Sequence, residues 1–335
     1  MPESKVSILI PFKNTARFLP ECLESIVNQT FTNWEVVAVN DGSTDESGQI
    51  VRAHAGIDSR IRYVENQGTG IIDALRTAYE NCNGHFITRM DSDDIMTPNK
   101  LKTMHSDLTT NGEGHVALGL VKYFSEVGIN DGYKRYENWL NRLIASGKNF
   151  DEIYKECVIP SPCWMVFRSD FDRAGGFNSD IYPEDYDLTF RFYAIGLQCI
   201  PSNTLLHHWR DYPIRTSRTS LNYAENTFLE LKVYYFLKLS YDATKTLVVW
   251  GAGKKGKKVA ALLVSEKIPF LWVCDNPKKI GKNIYGKRLE DWKLLSQLTN
   301  TQSIITVANE EAQQTIRAYF SNQNQKPMVN YFLFC

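Results

Sequence analysis

Val6–Pro11 reads VSILIP, an almost unbroken run of β-branched and apolar residues. A run with this little polar alternation is typical of a strand that is covered on both faces. Apolar residues at helical spacing follow (Leu19, Leu23 and Ile26), and Trp34–Val39 (WEVVAV) is a second strand-like run. Repetition of this strand–helix unit predicts an α/β fold with a mainly parallel sheet and right-handed crossovers.

Three of the predicted strands end at residues suited to ligand binding. Pro11 closes the first strand, Asp41 follows the second, and Asp91-Ser92-Asp93-Asp94 follows a strand at His85–Thr88. The carboxyl ends of parallel strands share one edge of a sheet, and ligands bind there. We therefore predict that these three segments meet at one edge.

The DSDD cluster indicates a cation site. Carboxylates placed close together repel one another, and a divalent cation removes that cost. Mg²⁺ and Mn²⁺ prefer oxygen ligands and are often held by one or two carboxylates together with substrate phosphates. The alternative is that Asp91 or Asp94 caps the following helix, which would occupy one aspartate and leave the others unexplained.

Asp41 and the pair Glu184-Asp185 each allow two interpretations. Asp41 lies in NDGSTD, which also describes an Asp-Gly turn before a helix cap, but a carboxylate after a second strand can bind a base or a ribose. Glu184 and Asp185 open a predicted helix, where acidic residues complement the helix dipole. Either of them is also placed to act as a general base.

The stretch LHHWRDYPIRTS, followed by Arg218, is basic. Arg210, Arg215 and Arg218 could clamp a diphosphate through planar bidentate donors, or could form surface ion pairs with Asp211. His207 and His208 are candidate metal ligands, with a hydrogen-bonded core histidine as the alternative.

Composition bounds the remaining functions. Apolar residues make up 43% of the 335 residues and the formal net charge is zero, which gives no general attraction to nucleic acid or anionic lipid. Seven scattered cysteines without a CxxC pair indicate neither a disulfide framework nor a zinc site. No apolar run approaches the roughly 20 residues of a membrane span. We expect a cytoplasmic protein, in solution or in peripheral contact with the inner face of the membrane.

Five motifs together resemble family 2 glycosyltransferases of the GT-A fold. Their order and spacing agree over about residues 5–220. The motifs are VSILIPFKN (Val6–Asn14), VNDGSTD (Val39–Asp45), RMDSDD (Arg89–Asp94), GGF (Gly175–Phe177) and PEDYDL (Pro183–Leu188).

The resemblance implies a role for each motif. Pro11 and Asp41 would line the nucleoside pocket, Asp91 would reach the ribose, and Asp93 would be the main ligand of a Mn²⁺ or Mg²⁺ ion, with Asp91 beside it. Asp185 would be the catalytic base, with Glu184 beside it near the acceptor. The basic stretch is similar to a loop that closes over the donor in a bacterial subgroup, which favours Arg210 and Arg218 as phosphate contacts.

Two positions depart from the family pattern. Lys13 stands where the family usually has an aromatic residue near the base. Arg76 stands where many relatives have Asn, and it would either meet a phosphate or lie exposed on its helix.

A second unit is predicted near the C-terminus. Gly251, Gly253 and Gly256 form a GxGxxG after the strand-like run Leu247–Trp250, and Asp275 ends a later strand. This context is that of a dinucleotide fingerprint. The unit resembles small Rossmann-like modules appended to bacterial sugar-processing enzymes. It would bind NAD or another nucleotide, or would serve packing, oligomerisation or acceptor handling.

The expected organisation is a GT-A domain at residues 1–220, a linking helix at 221–244 and a Rossmann-like α/β domain at 245–335. The resemblance implies an inverting, metal-dependent hexosyltransferase. It would use a UDP-sugar and a glycan or lipid-linked acceptor in bacterial surface polysaccharide synthesis. The alternatives are a nucleotidyltransferase, which would favour a glycine-rich loop where PFKNTARF stands, and a catalytically idle sugar-nucleotide-binding module. The donor sugar, acceptor and linkage cannot be derived from the sequence.

Overall fold

The computed structural model describes residues 4–219 and 228–335. These residues fall into two units, the first comprising 4–150 and 158–219, and the second comprising 151–157 and 228–335. Both are α/β units with mainly parallel sheets, which confirms the predicted fold class. Within the described ranges, no helix combines the length and the apolar character that a bilayer crossing requires.

The first unit contains ten strands and eight α-helices among its described residues. The strands are β1 (Val6–Phe12), β2 (Trp34–Asn40), β3 (Ile61–Glu65), β4 (Phe86–Arg89), β5 (Ile95–Met96), β6 (His115–Leu118), β7 (Leu120–Phe124), β8 (Trp164–Phe167), β9 (Gln198–Cys199) and β10 (Leu205–Arg210). The helices are α1 (Leu19–Val27), α2 (Ser47–Ile57), α3 (Ile71–Glu80), α4 (Lys100–Asn111), α5 (Asp131–Ser146), α6 (Arg168–Arg173), α7 (Glu184–Ala194) and α8 (Thr216–Thr219).

The main sheet has seven strands in the order β3-β2-β1-β4-β8-β6-β9. Strands β3, β2, β1 and β4 are parallel to one another, and β8 is antiparallel to both β4 and β6. Every residue of β1 and β2 is buried, as their continuous apolar runs predict. A smaller sheet with the order β5-β10-β7 carries the start of the basic stretch.

That smaller sheet was not predicted. It pairs β10 with β5 in antiparallel fashion and with β7 in parallel fashion. Each of its strands is short, and their pairing depends on segments far apart in the chain. Helix α5 lies along the edge strand β7, where the Asn141 side chain bonds both the N–H and the C=O of Val121. Edge groups that would otherwise lack partners are thereby satisfied.

The second unit has a six-stranded sheet in the order β13-β14-β12-β11-β15-β16. All its pairings are parallel except that of β13 with β14. A 3₁₀ helix at Asn149–Glu152 precedes the unit's main part and another lies at Trp292–Gln297. Its elements are α9 (Leu229–Leu239), β11 (Thr246–Trp250), α10 (Lys254–Ser265), β12 (Leu271–Cys274), β13 (Asn283–Ile284), β14 (Lys287–Asp291), β15 (Thr301–Ile305), α11 (Glu310–Asn322) and β16 (Tyr331–Leu333).

The boundaries of the second unit differ from those expected. Of the predicted linking helix at 221–244, residues 221–227 lie outside the described residues, and α9 ends at Leu239. The chain turns there because the N–H groups of Ser240 and Tyr241 both bond back to the Phe236 carbonyl. Residues 151–157 also join this unit, since Tyr154 is fully buried and stacks on Phe334 at 5.3 Å.

The glycine loop between β11 and α10 is held by close packing. A Cβ at Gly256 would lie 2.1 Å from the Gly251 carbonyl oxygen, whereas a Cβ at Gly253 would meet nothing within 4 Å. Gly251 itself has φ of +122°, a conformation open mainly to glycine. The loop therefore needs glycine at 251 and 256 for steric reasons, independently of any ligand.

The steric difference between Gly256 and Gly253 predicts that alanine at these two positions affects the free energy of unfolding differently. Gly256→Ala should lower the free energy of unfolding of the second unit by about 1–3 kcal/mol, because overpacking forces the loop and helix apart. Gly253→Ala is the matched control and should cost no more than about 1 kcal/mol, the range for an N-cap change. Chemical denaturation followed by tryptophan fluorescence measures both. Equal losses in the two variants would contradict the steric argument.

Candidate active site

The predicted convergence of strand ends is present in the first unit. Asp41 directly follows β2, and its N–H donates to the Phe12 carbonyl at the end of β1. On the other side of β1, the N–H of Met90 after β4 donates to the Leu9 carbonyl. Because β2, β1 and β4 are adjacent and parallel, Asp41 and Asp91 flank the end of β1, where Pro11 is buried.

Asp41 does more than form a turn. Gly42 does adopt the turn conformation, with φ of +69°. The Asp41 carboxylate, however, accepts hydrogen bonds from the Asn66 side chain (2.7 Å) and the Gly70 N–H (2.8 Å). Its other oxygen lies 3.4 Å from the Lys13 ammonium. Asp41 therefore orders the loop before α3 and brings the exposed Lys13 to the edge of the sheet.

The acidic cluster divides into residues with different surroundings. Asp94 is fully buried, and its oxygens bond the Arg210 N–H (2.7 Å) and His207 Nε2 (2.9 Å). His207 Nδ1 in turn lies 3.2 Å from the buried Lys100 ammonium. Since Lys100 can only donate, Nε2 carries the imidazole proton and donates to Asp94. Burial, followed by the neighbouring charge of Asp93, raises the pKa of Asp94 well above its usual value.

This network answers two of the sequence questions. Both nitrogens of His207 are used within the protein, so His207 is a core histidine and not a metal ligand. Neither Asp94 nor Asp91 caps the next helix, because the N-cap of α4 is Asn99. Asp94 instead holds His207 and the backbone of Arg210 next to the acidic cluster.

Asp93 and Asp91 remain as candidate ligands for a cation. Asp93 is only 8% exposed and accepts a hydrogen bond from the Tyr212 hydroxyl at 2.9 Å. Burial raises its pKa, Arg215 opposes the shift, and Asp91 adds to it. Within the described part of the chain, no group of three or more His, Cys, Asp or Glu side chains is arranged to hold a metal ion. Mg²⁺ and Mn²⁺ are commonly bound by one or two carboxylates, with water and substrate phosphate oxygens as the remaining ligands.

Glu184 and Asp185 begin α7, next to Arg89. Glu184 is 5% exposed, and its Oε1 accepts a hydrogen bond from Arg89 Nη1 at 2.8 Å. Its Oε2 is buried with no hydrogen-bond partner among the described residues. Asp185 keeps part of its surface in solvent, and its Oδ1 accepts from the Tyr186 N–H at 2.8 Å.

The electrostatics separate the two carboxyl groups. Desolvation and then the charge of Glu184 raise the pKa of Asp185 to about 7, although Arg89 opposes the shift. A carboxylate whose pKa lies near neutrality is matched to proton transfer at physiological pH. This raised pKa favours the interpretation of Asp185 as a general base, which stays a prediction.

The two arginines favoured from the sequence occupy different places. Arg210 is buried and its Nε donates to the Asp93 carbonyl at 2.7 Å, while its guanidinium also pairs with Glu21. Arg218 forms a bidentate pair with the buried Asp211, at 2.8 and 2.6 Å. Their contact with donor phosphates stays a prediction.

Two residues next to the acidic edge, Arg89 and Tyr212, were not candidates from the sequence, and Arg215 was one of three possible diphosphate contacts there. Arg89 donates to Asp91 Oδ1 through Nε (3.0 Å), and its Nη2 forms an ion pair with the same oxygen at 2.9 Å. Arg215 is buried with its Nη2 3.9 Å from Asp91 Oδ2, and Tyr212 bonds Asp93. All three lie inside the motifs RMDSDD and WRDYPIRTSR, so the motifs located them, but only the fold shows which side chains turn inward.

The expectations for Arg76 were wrong. Its side chain is partly buried, and its guanidinium is bonded to the loop that leads to α7. Nε donates to the Phe177 carbonyl (2.7 Å), Nη2 to the Asn178 carbonyl (3.0 Å) and to Asp180 (2.6 Å), and Nη1 to Asp73 (3.0 Å). Arg76 therefore ties α3 to the segment before Glu184.

The glycine loop of the second unit has the predicted placement. Gly251, Gly253 and Gly256 connect β11 to α10, and Asp275 directly follows β12 with its side chain exposed. The Lys279 ammonium donates to the Ala252 carbonyl at 2.8 Å. Binding of a nucleotide here stays a prediction.

The fold and the acidic edge define an α/β enzyme of the GT-A type. Residues 7–175 match the family model for glycosyl transferase family 2, and the chain belongs to that family. Glycosyltransferase GlyG of Streptococcus pneumoniae is 39% identical over 215 residues, which cover 61% of this chain and 70% of GlyG. Chondroitin synthase of Escherichia coli is 30% identical over 211 residues, covering 60% of this chain and 29% of that protein. The chain spans less than a third of the length of the longer relatives that it matches.

Solved structures share the fold. TarS of S. aureus in complex with UDP-GlcNAc matches with a TM-score of 0.53 and 18% identity, covering 77% of this chain and 71% of that chain. Mannosyltransferase PcManGT of Pyrobaculum calidifontis in complex with GDP-Man and Mn²⁺ matches with a TM-score of 0.51 and 19% identity, covering 78% and 68%.

The adjacent histidines provide a test of the buried network. His207→Ala should destabilise the protein by about 3–5 kcal/mol, because Asp94 and Lys100 would stay buried and each would lose its bond to the imidazole that joins them. His208 is partly exposed, and His208→Ala should cost less than about 1 kcal/mol. Urea denaturation with and without Mn²⁺ measures both. A His207 effect seen only in the presence of Mn²⁺ would mean that this histidine is a ligand after all.

Proposed function

We propose that this chain is an inverting, divalent-cation-dependent glycosyltransferase that uses a UDP-sugar as donor. The acceptor is a hydroxyl group of a glycan or lipid-linked acceptor in bacterial surface polysaccharide synthesis. One observation carries the proposal: Arg89 joins Asp91, on the donor side, directly to Glu184, which precedes the carboxyl of raised pKa at Asp185. Donor-side ligands and a candidate base are thereby brought into one site.

The donor side is supported by the carboxylates at the strand ends. Asp41, with the loop that it orders, would contact the nucleoside, and Asp91 the ribose. Asp93 and Asp91 would hold a Mn²⁺ or Mg²⁺ ion, which offsets the negative charge developing on a departing diphosphate. Arg215, a buried guanidinium whose Nη2 lies 3.9 Å from Asp91 Oδ2, would add to the offset.

Transfer with inversion assigns the proton to Asp185. The acceptor oxygen forms a bond to the anomeric carbon as the bond from that carbon to the diphosphate oxygen breaks. The bonding electrons leave with the diphosphate, and the acceptor proton passes to the Asp185 carboxylate. The unpartnered Oε2 of Glu184 is an acceptor for a sugar hydroxyl, because a buried carboxylate oxygen without a partner is costly.

The relatives support the substrate classes. TarS binds UDP-GlcNAc in its crystal structure and PcManGT binds GDP-Man with Mn²⁺. Chondroitin synthase shows that relatives of this sequence make polysaccharide. The proposed Arg210 and Arg218 contacts to phosphate rest on the basic loop, with Arg215 as a further candidate.

Asp185→Asn tests the base. The variant should retain UDP affinity within about threefold and should lose at least about 10²-fold in kcat, the scale of general-base catalysis. A screen of several UDP-sugars for Mn²⁺-dependent UDP release identifies the donor, and the variant is then assayed with that donor. Asp187→Asn, on the same helix but paired with Arg191, is the control for helix stability. Normal turnover by Asp185→Asn would exclude it as the base.

The raised pKa predicts the pH profile. The base must be ionised to accept a proton, so kcat should fall as the pH drops below about 7, approaching tenfold per pH unit. Above that pH the rate should reach a plateau. The measurement is kcat at saturating donor and acceptor from about pH 5 to pH 9, and its apparent pKa belongs to Glu184 and Asp185 together. A flat profile across this range would argue against a carboxylate base with a raised pKa.

A further inference from the structure

Arg89 connects the two halves of the proposed active site. It is the last residue of β4 and is only 5% exposed. Nε donates to Asp91 Oδ1 at 3.0 Å, Nη2 lies 2.9 Å from the same oxygen, and Nη1 donates to Glu184 Oε1 at 2.8 Å. The guanidinium thus bridges a carboxylate that follows β4 and a carboxylate on the first turn of α7.

We propose that Arg89 is a positioning residue, which fixes the first turn of α7, and with it Asp185, relative to the donor-side Asp91. This inference rests on the proposed function, because it assigns Arg89 to the geometry of the same transfer reaction. Among the residues that the structure describes, the Arg89 guanidinium bonds only Asp91 and Glu184, so any effect of Arg89 on the reaction passes through these two carboxylates.

The location of Arg89 is unfavourable unless both carboxylates are present. A buried guanidinium carries a large desolvation cost, and the N-terminal end of a helix disfavours a cation. Asp91 and Glu184 together offset both costs, since each raises the pKa of Arg89 against the effect of burial. Buried ion pairs add little net stability compared with apolar packing, so geometry is the better explanation for this arrangement.

The geometry requires arginine in particular. A guanidinium presents a rigid planar set of donors, so bonding to Asp91 fixes the direction in which Nη1 meets Glu184. Lysine carries the same charge as a single point and cannot hold both carboxylates in a fixed relation. In the described part of the chain, Glu184 has a hydrogen-bond partner at Oε1 only. The bond from Arg89 therefore fixes the orientation of the carboxylate that immediately precedes Asp185.

Arg89→Lys is the direct test, because it keeps the charge and removes the planar bridge. It should lower kcat by roughly 10–100-fold, the scale on which misplacement of catalytic groups acts. Its UDP affinity should change much less than its kcat. Amide hydrogen exchange in the peptide that contains 184–188 should also accelerate, since the first turn of α7 loses its attachment to β4.

Arg168→Lys is the matched control. Arg168 begins α6 and donates to the Gly84 carbonyl at 2.7 Å, near the start of β4, where it binds no carboxylate. The same substitution there should leave kcat and the exchange of 184–188 unchanged. If both variants accelerated exchange equally, Arg89 would be an ordinary structural arginine.

A double-mutant cycle tests the route of action. If Arg89 acts through Glu184, the double variant Arg89→Gln, Glu184→Gln should be no slower than the slower single variant, within about threefold. Multiplied losses would overturn the inference. Should the wild type transfer no sugar from any donor, the proposed function fails, but exchange at 184–188 still decides whether Arg89 holds α7.

Discussion

The candidate site depends on how the protein keeps several carboxylates close together with little solvent. Asp91, Asp93, Asp94 and Glu184 are all largely or completely shielded, and burying so much negative charge is costly without positive charge nearby. The positive charges come from buried side chains of three different parts of the chain. They are Arg89 at the end of β4, Lys100 at the start of α4 and Arg215 after β10.

The cations have distinct tasks because they contact different carboxylates. Lys100 acts at one remove, through His207, and stabilises Asp94 beneath the edge of the sheet. Arg215 lies on the basic loop, 3.9 Å from Asp91, and its charge opposes the rise that burial causes in the pKa of Asp93. Arg89 makes the short contacts, and among the described residues it alone joins a carboxylate at the strand edge to one on α7. The three cations therefore have different roles. Lys100 supports the site through His207, Arg215 balances negative charge near Asp91, and Arg89 links Asp91 to Glu184.

The sequence predicted those features that depend on local pattern. The buried runs of β1 and β2 identified a parallel sheet, and a parallel sheet places residues that follow its strands at one edge, so Asp41 and Asp91 could be paired in advance. The surroundings of each side chain could not be predicted, because they depend on distant segments. Asp94 meets His207 across 113 residues, Arg89 meets Glu184 across 95, and Arg76 meets Phe177 across 101. Within DSDD, the sequence therefore offered Asp94 as a possible helix cap, although its carboxylate is buried against His207 and the Arg210 N–H.

The glycine loop of the second unit illustrates the opposite situation, in which a pattern has a sufficient cause within the fold. Gly251 needs its positive φ, and Gly256 needs to lack a side chain because the Gly251 carbonyl lies against it. Close strand–helix packing thus accounts for two of the three glycines without a bound nucleotide. Gly253 has no such steric requirement, and neither does the exposed Asp275. Nucleotide binding is therefore tested at Gly253 and Asp275, which packing does not explain, rather than at the whole motif. Substitutions there report on nucleotide binding without the packing damage that Gly256→Ala would bring.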